Sequence, residues 1–422
     1  MLLQILDKLP LQSKLHCALA VCKSWRTLKQ VELLWKTLEL GDSWSDGYNK
    51  FGVHPEHPMK ISNSGLARLL TWVPAAKVET FVLFDDHKKI GADALKKALG
   101  ALPSLTTLHI QGKCVTAATI KHVAKQSFMM NLIDLQFGPV LNKVSFTDKL
   151  LLVQKASRLE KLTIMYAREE QRTAIAALLN ALRAARGPGT KPLLTKLSLS
   201  DYCGGTCTWN ELFDMFAALP ELEDVEIGAV VWSSMPVTSL FAHPPLLRLR
   251  HLRIKRFLGY EIDVRNHLST EFAAQVLRAL LAAAPQLEVL SITHGSQYSH
   301  ERVHTNGPWP GVGGSLAGLP KTLTRLFLSD FHLEPDAFDL CDLPNLEQLV
   351  IRNAGIHARA LAESLEERCP RLCPQNVAFS VRMLSGTLEE HCGRSFGRFD
   401  GVITPADQTL AAARSADAMA IQ

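Results

Sequence analysis

One six-residue pattern of apolar and polar positions returns along most of the chain. The first, fourth and sixth positions are apolar and the fifth is usually polar. It reads VETFVL from Val78, LTTLHI from Leu105, LIDLQF from Leu132, LEKLTI from Leu159 and LTKLSL from Leu194. It continues as LEDVEI from Leu222, LRHLRI from Leu249, LEVLSI from Leu287, LTRLFL from Leu323 and LEQLVI from Leu346. The ten copies start 27, 27, 27, 35, 28, 27, 38, 36 and 23 residues apart. Alternation across positions four to six is the period of a strand that buries one face. Between copies the period becomes helical. Leu95, Ala98, Leu99 and Leu102 lie on one helical stripe, as do Ile120, Val123, Ala124 and Ser127, and later Leu277, Leu280, Leu281 and Ala284. Pro103, Pro220, Pro285 and Pro344 stand just before strands, where a residue without an N–H stops a helix. Each unit is therefore strand, loop, helix, and buries its apolar face only by stacking on its neighbours.

Five of the nine steps are 27 or 28 residues, and period and pattern together resemble the leucine-rich repeat. The expected fold is α/β: a right-handed leucine-rich-repeat solenoid of about ten strand–helix units with a parallel sheet. The repeated leucines are core. The inner faces of the strands would form a concave surface, the usual binding surface of solenoids. Its exposed positions flank the leucines, among them Thr107, His109, Gln111, Gln136, Lys161 and Ser198, then Asp224 and Glu226, and further on Arg325 and Phe327. Strand alternation puts His251, Arg253 and Lys255 on that face together. They could receive an acidic or phosphorylated segment of a substrate, or be a solvated face neutralised by Asp224 and Glu226 on the neighbouring strand.

Residues 1–40 follow a different pattern. Pro10 breaks a first helical run, Leu15, Leu19 and Cys22 mark a second, and Trp25, Leu28 and Val31 a third. Trp35, Leu38 and Leu40 then take a W-x-x-L-x-L register that suits a first strand. This stretch carries Ile5-Leu6, Leu9-Pro10, Lys14-Leu15, Cys17-Ala18, Val21-Cys22-Lys23-Ser24-Trp25-Arg26 and Leu34-Trp35. Those residues resemble the F-box, and the union of such a segment with the repeats resembles the F-box/leucine-rich-repeat family. The Leu-Pro-x-Glu element with which the family usually opens would fall before Met1. The resemblance implies a small all-α module that docks on a Skp-type adaptor and, through it, on a cullin–RING ubiquitin ligase, while the repeats hold a protein substrate. By the family pattern Leu9, Pro10, Leu15, Val21, Cys22, Trp25 and Trp35 face the adaptor. For Trp25 and Trp35 packing within the chain is the alternative, since tryptophan serves both cores and interface hot spots.

The domain plan that follows is an F-box-like helical module at 1–40, a linker and N-terminal cap at 41–77, the repeats at 78–372, and a C-terminal cap with a fraying tail at 373–422. Trp72 and Val73 are placed to cap the first repeat. Three steps exceed the base period, and long loops of this kind are usually functional or disordered. They hold Arg168 to Lys191, Phe257 to Leu268, and His294 to Gly314, where Tyr298 and Trp309 are candidate substrate anchors.

Composition narrows the chemistry. The chain has 422 residues, 47% of them hydrophobic, and a formal net charge of +5, too small an excess to argue for nucleic acid. No run reaches the roughly 18 apolar residues of a membrane span. Charged and polar residues interrupt the first apolar stretch, so it does not read as a secretory signal. Nine cysteines at irregular spacing read as reduced thiols of the cytosol or nucleus. Cys203 with Cys207 and Cys369 with Cys373 lack zinc-ribbon spacing, and His294, His300 and His304 lack further ligands. Gly311, Gly313 and Gly314 follow no strand, and no hydrolase, metalloprotease or nucleotide motif is present. The chain reads as a binder without catalytic residues, metal or cofactor. Its expected role is the substrate-recognition subunit of a ubiquitin ligase. The alternatives are a repeat scaffold that residues 1–40 merely cap, and a small-ligand receptor with the 294–314 loop as lid.

Overall fold

A computed structural model describes residues 35–41, 62–85, 90–138, 144–166, 174–187, 192–201, 206–231, 246–257, 270–294, 316, 318–329, 341–354, 369–372 and 377–381. Leu9, Pro10, Leu15, Val21, Cys22, Trp25, Tyr298 and Trp309 lie outside the described residues. The chain divides into two compact units, residues 1–205 and 206–422.

The first unit holds strands β1 (Thr37–Gly41), β2 (Thr80–Asp85), β3 (Thr107–Gly112), β4 (Asp134–Phe137), β5 (Lys161–Tyr166) and β6 (Lys196–Asp201). Each pairs parallel with the next in chain order. Register puts equivalent residues of the repeat side by side. Leu38, Phe81, Leu108, Leu135, Leu162 and Leu197 form one row, and Leu40, Leu83, Ile110, Phe137, Ile164 and Leu199 the next; all are buried. Five helices lie between the strands: α1 (Asn63–Trp72), α2 (Ala92–Gly100), α3 (Ala117–Val123), α4 (Phe146–Val153) and α5 (Ala174–Arg186). Successive helices pack on one another. Ser62, Thr116 and Ser145 start α1, α3 and α4 by accepting the N–H three residues on.

One hydrogen-bond motif repeats from strand to strand just before each begins. The carbonyl of Glu79 accepts the N–H groups of Thr106 and Thr107, that of Thr106 those of Ile133 and Asp134, and that of Ile133 those of Glu160 and Lys161. The hydroxyls of Thr106 and Thr195 add bonds to the same carbonyl row. Each repeat thus satisfies the backbone of its neighbour, as stacking requires.

The second unit holds β7 (Thr206–Thr208), β8 (Asp224–Ile227), β9 (Ala229–Val231), β10 (His251–Phe257), β11 (Val289–His294), β12 (Arg325–Ser329), β13 (Gln348–Ala354) and β14 (Val377–Val381). The strands β8, β10, β11, β12, β13 and β14 pair parallel in that order, and the short β9 pairs with β7 and β10. Helices α6 (Trp209–Ala218) and α7 (Thr270–Ala283) belong to it. A full capping box starts α6: Thr208 N–H donates to Glu211 Oε2 at 2.8 Å, and Glu211 N–H to Thr208 Oγ1 at 3.3 Å. Trp209, Phe213 and Phe216 stack along its buried side.

The described residues add detail at the ends of the expected domain plan. Residues 37–41 form a strand and join the sheet through β2, so the array starts inside the segment assigned to the helical module. Residues 41–77 are not simply a linker, because the Ser62 cap and the buried Leu66 and Leu69 make α1 a repeat helix. Val73 is buried behind it, but Trp72 is 38% exposed. At the far end β14 adds a strand where a cap was expected. Leu372 precedes Val377 by five residues instead of three, which hides the pattern in the sequence. The three-residue strands β7 and β9 were not expected, being too short to show alternation.

Candidate functional site

Positions three and five of each repeat project from the sheet opposite the leucines, and the two units use them differently. In the first unit the fifth-position row runs Glu39, Val82, His109, Gln136, Thr163, Ser198. These polar positions were expected to be exposed, yet His109 is 7% exposed and Gln136 and Ser198 are also buried. In the next row Gln111 is 2% exposed because Gly138 lies beside it, so close that a Cβ there would stand 2.1 Å from Gln111 Oε1. His109 Nε2 lies 3.1 Å from Asp134 Oδ1, but not on a hydrogen-bonding line. The interior of this face is closed, and binding there would require uncovering it.

In the second unit the face is charged and half-exposed. His251, Arg253 and Lys255 do share one side of β10, as alternation predicts. Register sets His251 against Asp224 and Arg253 against Glu226. Arg253 reaches diagonally to Asp224 Oδ1 at 3.3 Å, and Lys255 pairs with Glu226. His251 lies 3.8 Å from Asp224 Oδ2 and 3.9 Å from Glu288 Oε2. Of the two readings open for this basic strand, the geometry favours the neutralised face. A phosphorylated ligand would have to displace carboxylates already in place. Two strands on, Arg325 is exposed with no carboxylate within 4 Å among the described residues, and Phe327 is half-exposed between Ser291 and Val350. This part of the predicted surface remains open to a partner.

Of the adaptor-facing candidates, Trp35 lies among the described residues. It is 2% exposed at the entry to β1, so its ring serves the chain's own core. Cys114, Cys207, Cys341 and Cys369 are buried thiols rather than disulfide halves. Burial, with Glu211 adding to it, pushes the Cys207 thiol well above its usual range, which makes it a poor nucleophile. Among the described residues no group of three His, Cys, Asp or Glu is placed to hold a metal. Nor is any helix among them long and apolar enough to cross a membrane.

A second surface was not read from the sequence. Parallel strands joined by helices bring every helix C-terminus, and the turn after it, to the edge where the strands begin. In the first unit this edge carries Lys97, Lys125, Lys155, Arg158, Lys161 and Arg183, all exposed. Among the described residues none has a carboxylate within 4 Å, although Arg183 touches Asn180 Oδ1 at 3.5 Å. In the second unit three cations near this edge are paired, Arg248 with Glu221, Lys321 with Asp342, and Arg250 with Glu288 at 3.2 Å, while Arg325, at the repeat position of Lys161, has no carboxylate within 4 Å among the described residues. The signal in the sequence is a cation in the last helical turn or the following residues, repeated at the period of the leucines.

Parallel pairing in register, the leucine rows and the repeating carbonyl ladder define the class: a leucine-rich-repeat protein. No family model matches the chain, and no curated protein matches it. Among solved structures it is similar to the Rad7–Elc1 complex of yeast, at 14% identity over 83% of this chain and 90% of that one, with a TM-score of 0.42. It is similar to internalin C2 of Listeria monocytogenes, at 17% identity over 69% and 92%, TM-score 0.32. It is also similar to the TLR13–ssRNA13 complex, at 18% identity over 78% of this chain but only 39% of that one, TM-score 0.38. These similarities are remote, and the class rests on the register and the ladder.

Proposed function

We propose that this protein is the substrate-recognition subunit of a Skp–cullin–F-box ubiquitin ligase. The observation that carries the reading is Val21-Cys22-Lys23-Ser24-Trp25-Arg26, within an F-box-like segment that runs straight into the first strand of a repeat array. Leu9, Pro10, Leu15, Val21, Cys22 and Trp25 would contact the adaptor; Trp35, buried behind them in the chain, would anchor the module to the array. The chain itself would perform no chemistry and need no cofactor. It would hold a protein substrate near the ligase, where proximity raises the effective concentration of the reacting groups. The open strand face around Arg325 and Phe327 suits substrate contact better than the ion-paired His251, Arg253 and Lys255.

The test is co-purification and titration of the full chain with a Skp-type adaptor. Trp25→Ala and Leu15→Asp should each weaken binding by about tenfold or more, as loss of an interface anchor does. Absence of binding by the unaltered chain, or tight binding indifferent to both substitutions, would contradict the proposal. The burial of Trp35 favours a second reading, in which the first residues only cap the repeats. That reading requires that deleting residues 1–34 lowers the melting temperature of the array, whereas the ligase reading requires lost adaptor binding with the array folded.

A further inference from the structure

We infer that the strand-entry edge of the first unit is a docking surface for an acidic protein segment with interspersed apolar side chains. The edge is built by stacking. Arg186 Nε donates to the carbonyl of Ser157 at 2.8 Å, joining the end of α5 to the turn after α4. Gly100, at the end of α2, lies beside Gln126 and His122 of the following repeat. The cations are thus held along consecutive repeats rather than scattered.

Helix stability explains only part of them. A cation in the last turn of a helix interacts well with the helix dipole, which accounts for Lys97 and Arg183. Lys125, Lys155 and Arg158 lie beyond their helix ends, and Lys161 is in a strand. Lys161 stands directly opposite Lys196 on the next strand. Asp134, on the other side of Lys161, lies 3.1 Å from His109 Nε2.

The choice of partner follows from what lies between the cations. Met130, in the turn after Lys125, is 56% exposed, and Leu193, in the turn before Lys196, is 44% exposed. Isolated apolar side chains in a cationic row suit a protein segment that alternates carboxylates with leucine-like residues. A nucleic-acid strand would call for aromatic platforms, and none is exposed on this edge among the described residues.

The full chain is titrated with a fluorescent peptide of glutamates interspersed with leucines, with its counterpart carrying glutamine for glutamate, and with oligothymidylate. The acidic peptide should bind, and more weakly as salt rises. The glutamine peptide should bind at least about tenfold more weakly. Combined Lys155→Glu, Arg158→Glu and Lys161→Glu should reduce affinity for the acidic peptide by about tenfold or more, whereas Lys321→Glu on the second unit should not change it. Should charge reversal perturb folding, Lys155→Gln with Arg158→Gln is expected to weaken binding about threefold with an unchanged melt. Equal affinity for the two peptides, indifference to the first-unit substitutions, or tighter binding of oligothymidylate would each overturn the inference. The outcome is independent of adaptor binding, which the same variants should leave intact.

Discussion

The two units share one hydrophobic plan and differ in what they do with polar positions. Inward, rows such as Leu108, Leu135 and Leu162 in the first unit and Leu252, Leu290 and Leu326 in the second are interchangeable in burial and register. Outward, the first unit buries His109, Gln111 and Gln136 and holds Lys155, Arg158 and Lys161 at its edge with no carboxylate within 4 Å among the described residues. The second exposes its strand face and pairs Arg253 and Lys255 on it and Arg250 and Lys321 at the edge. A stack needs uniformity only where its units touch. Freedom elsewhere lets one fold carry two different surfaces.

Substitutions can break or sharpen this contrast. The largest effect belongs to the shared core: Leu162→Ala should cost about 2–5 kcal/mol in urea unfolding, whereas Lys161→Ala beside it should fall within about 0.5 kcal/mol. Gly138→Ala should come next, at about 1–3 kcal/mol, because the new methyl group meets the buried Gln111 Cβ at 2.7 Å as well as its amide. Thr208→Ala removes the hydroxyl arm of the α6 capping box, leaving the backbone N–H of residue 208 to Glu211, and should cost about 1 kcal/mol by thermal melt. Arg253→Ala is smallest, about 0.2–1 kcal/mol, and should shrink in high salt as expected of a partly exposed ion pair. Equal salt sensitivity after Lys155→Ala would mean that the first unit's cations are paired after all.

Much of the fold was legible because leucine at fixed spacing has one physical consequence. The ten expected strands all form, and the stripes through Leu95 and Leu277 become α2 and α7. What escaped reading depended on deviations from spacing. The extra residues between Leu372 and Val377 hid β14, and the 37 residues between Leu40 and Val78 carried no copy of the pattern that would tie the expected first strand to the array. Surface state was less legible. Nothing in L-T-T-L-H-I distinguishes a buried His109 from an exposed one, because burial on that face depends on what lies across it. The pairing of His251, Arg253 and Lys255 was one of two readings from the sequence, and only the register decided for Asp224 and Glu226. Trp35 was equally ambiguous until β1 placed it in the core.

The proposed function divides the labour between an adaptor-binding module within residues 1–34 and a repeat array that keeps its fold for other partners. Hydrogen exchange of the full chain with and without a Skp-type adaptor tests it most directly. The account predicts new protection concentrated in residues 1–34, around Leu15 and Trp25, with exchange in β2 to β6 unchanged. Protection absent from that segment, or appearing instead along the repeat strands, would contradict it.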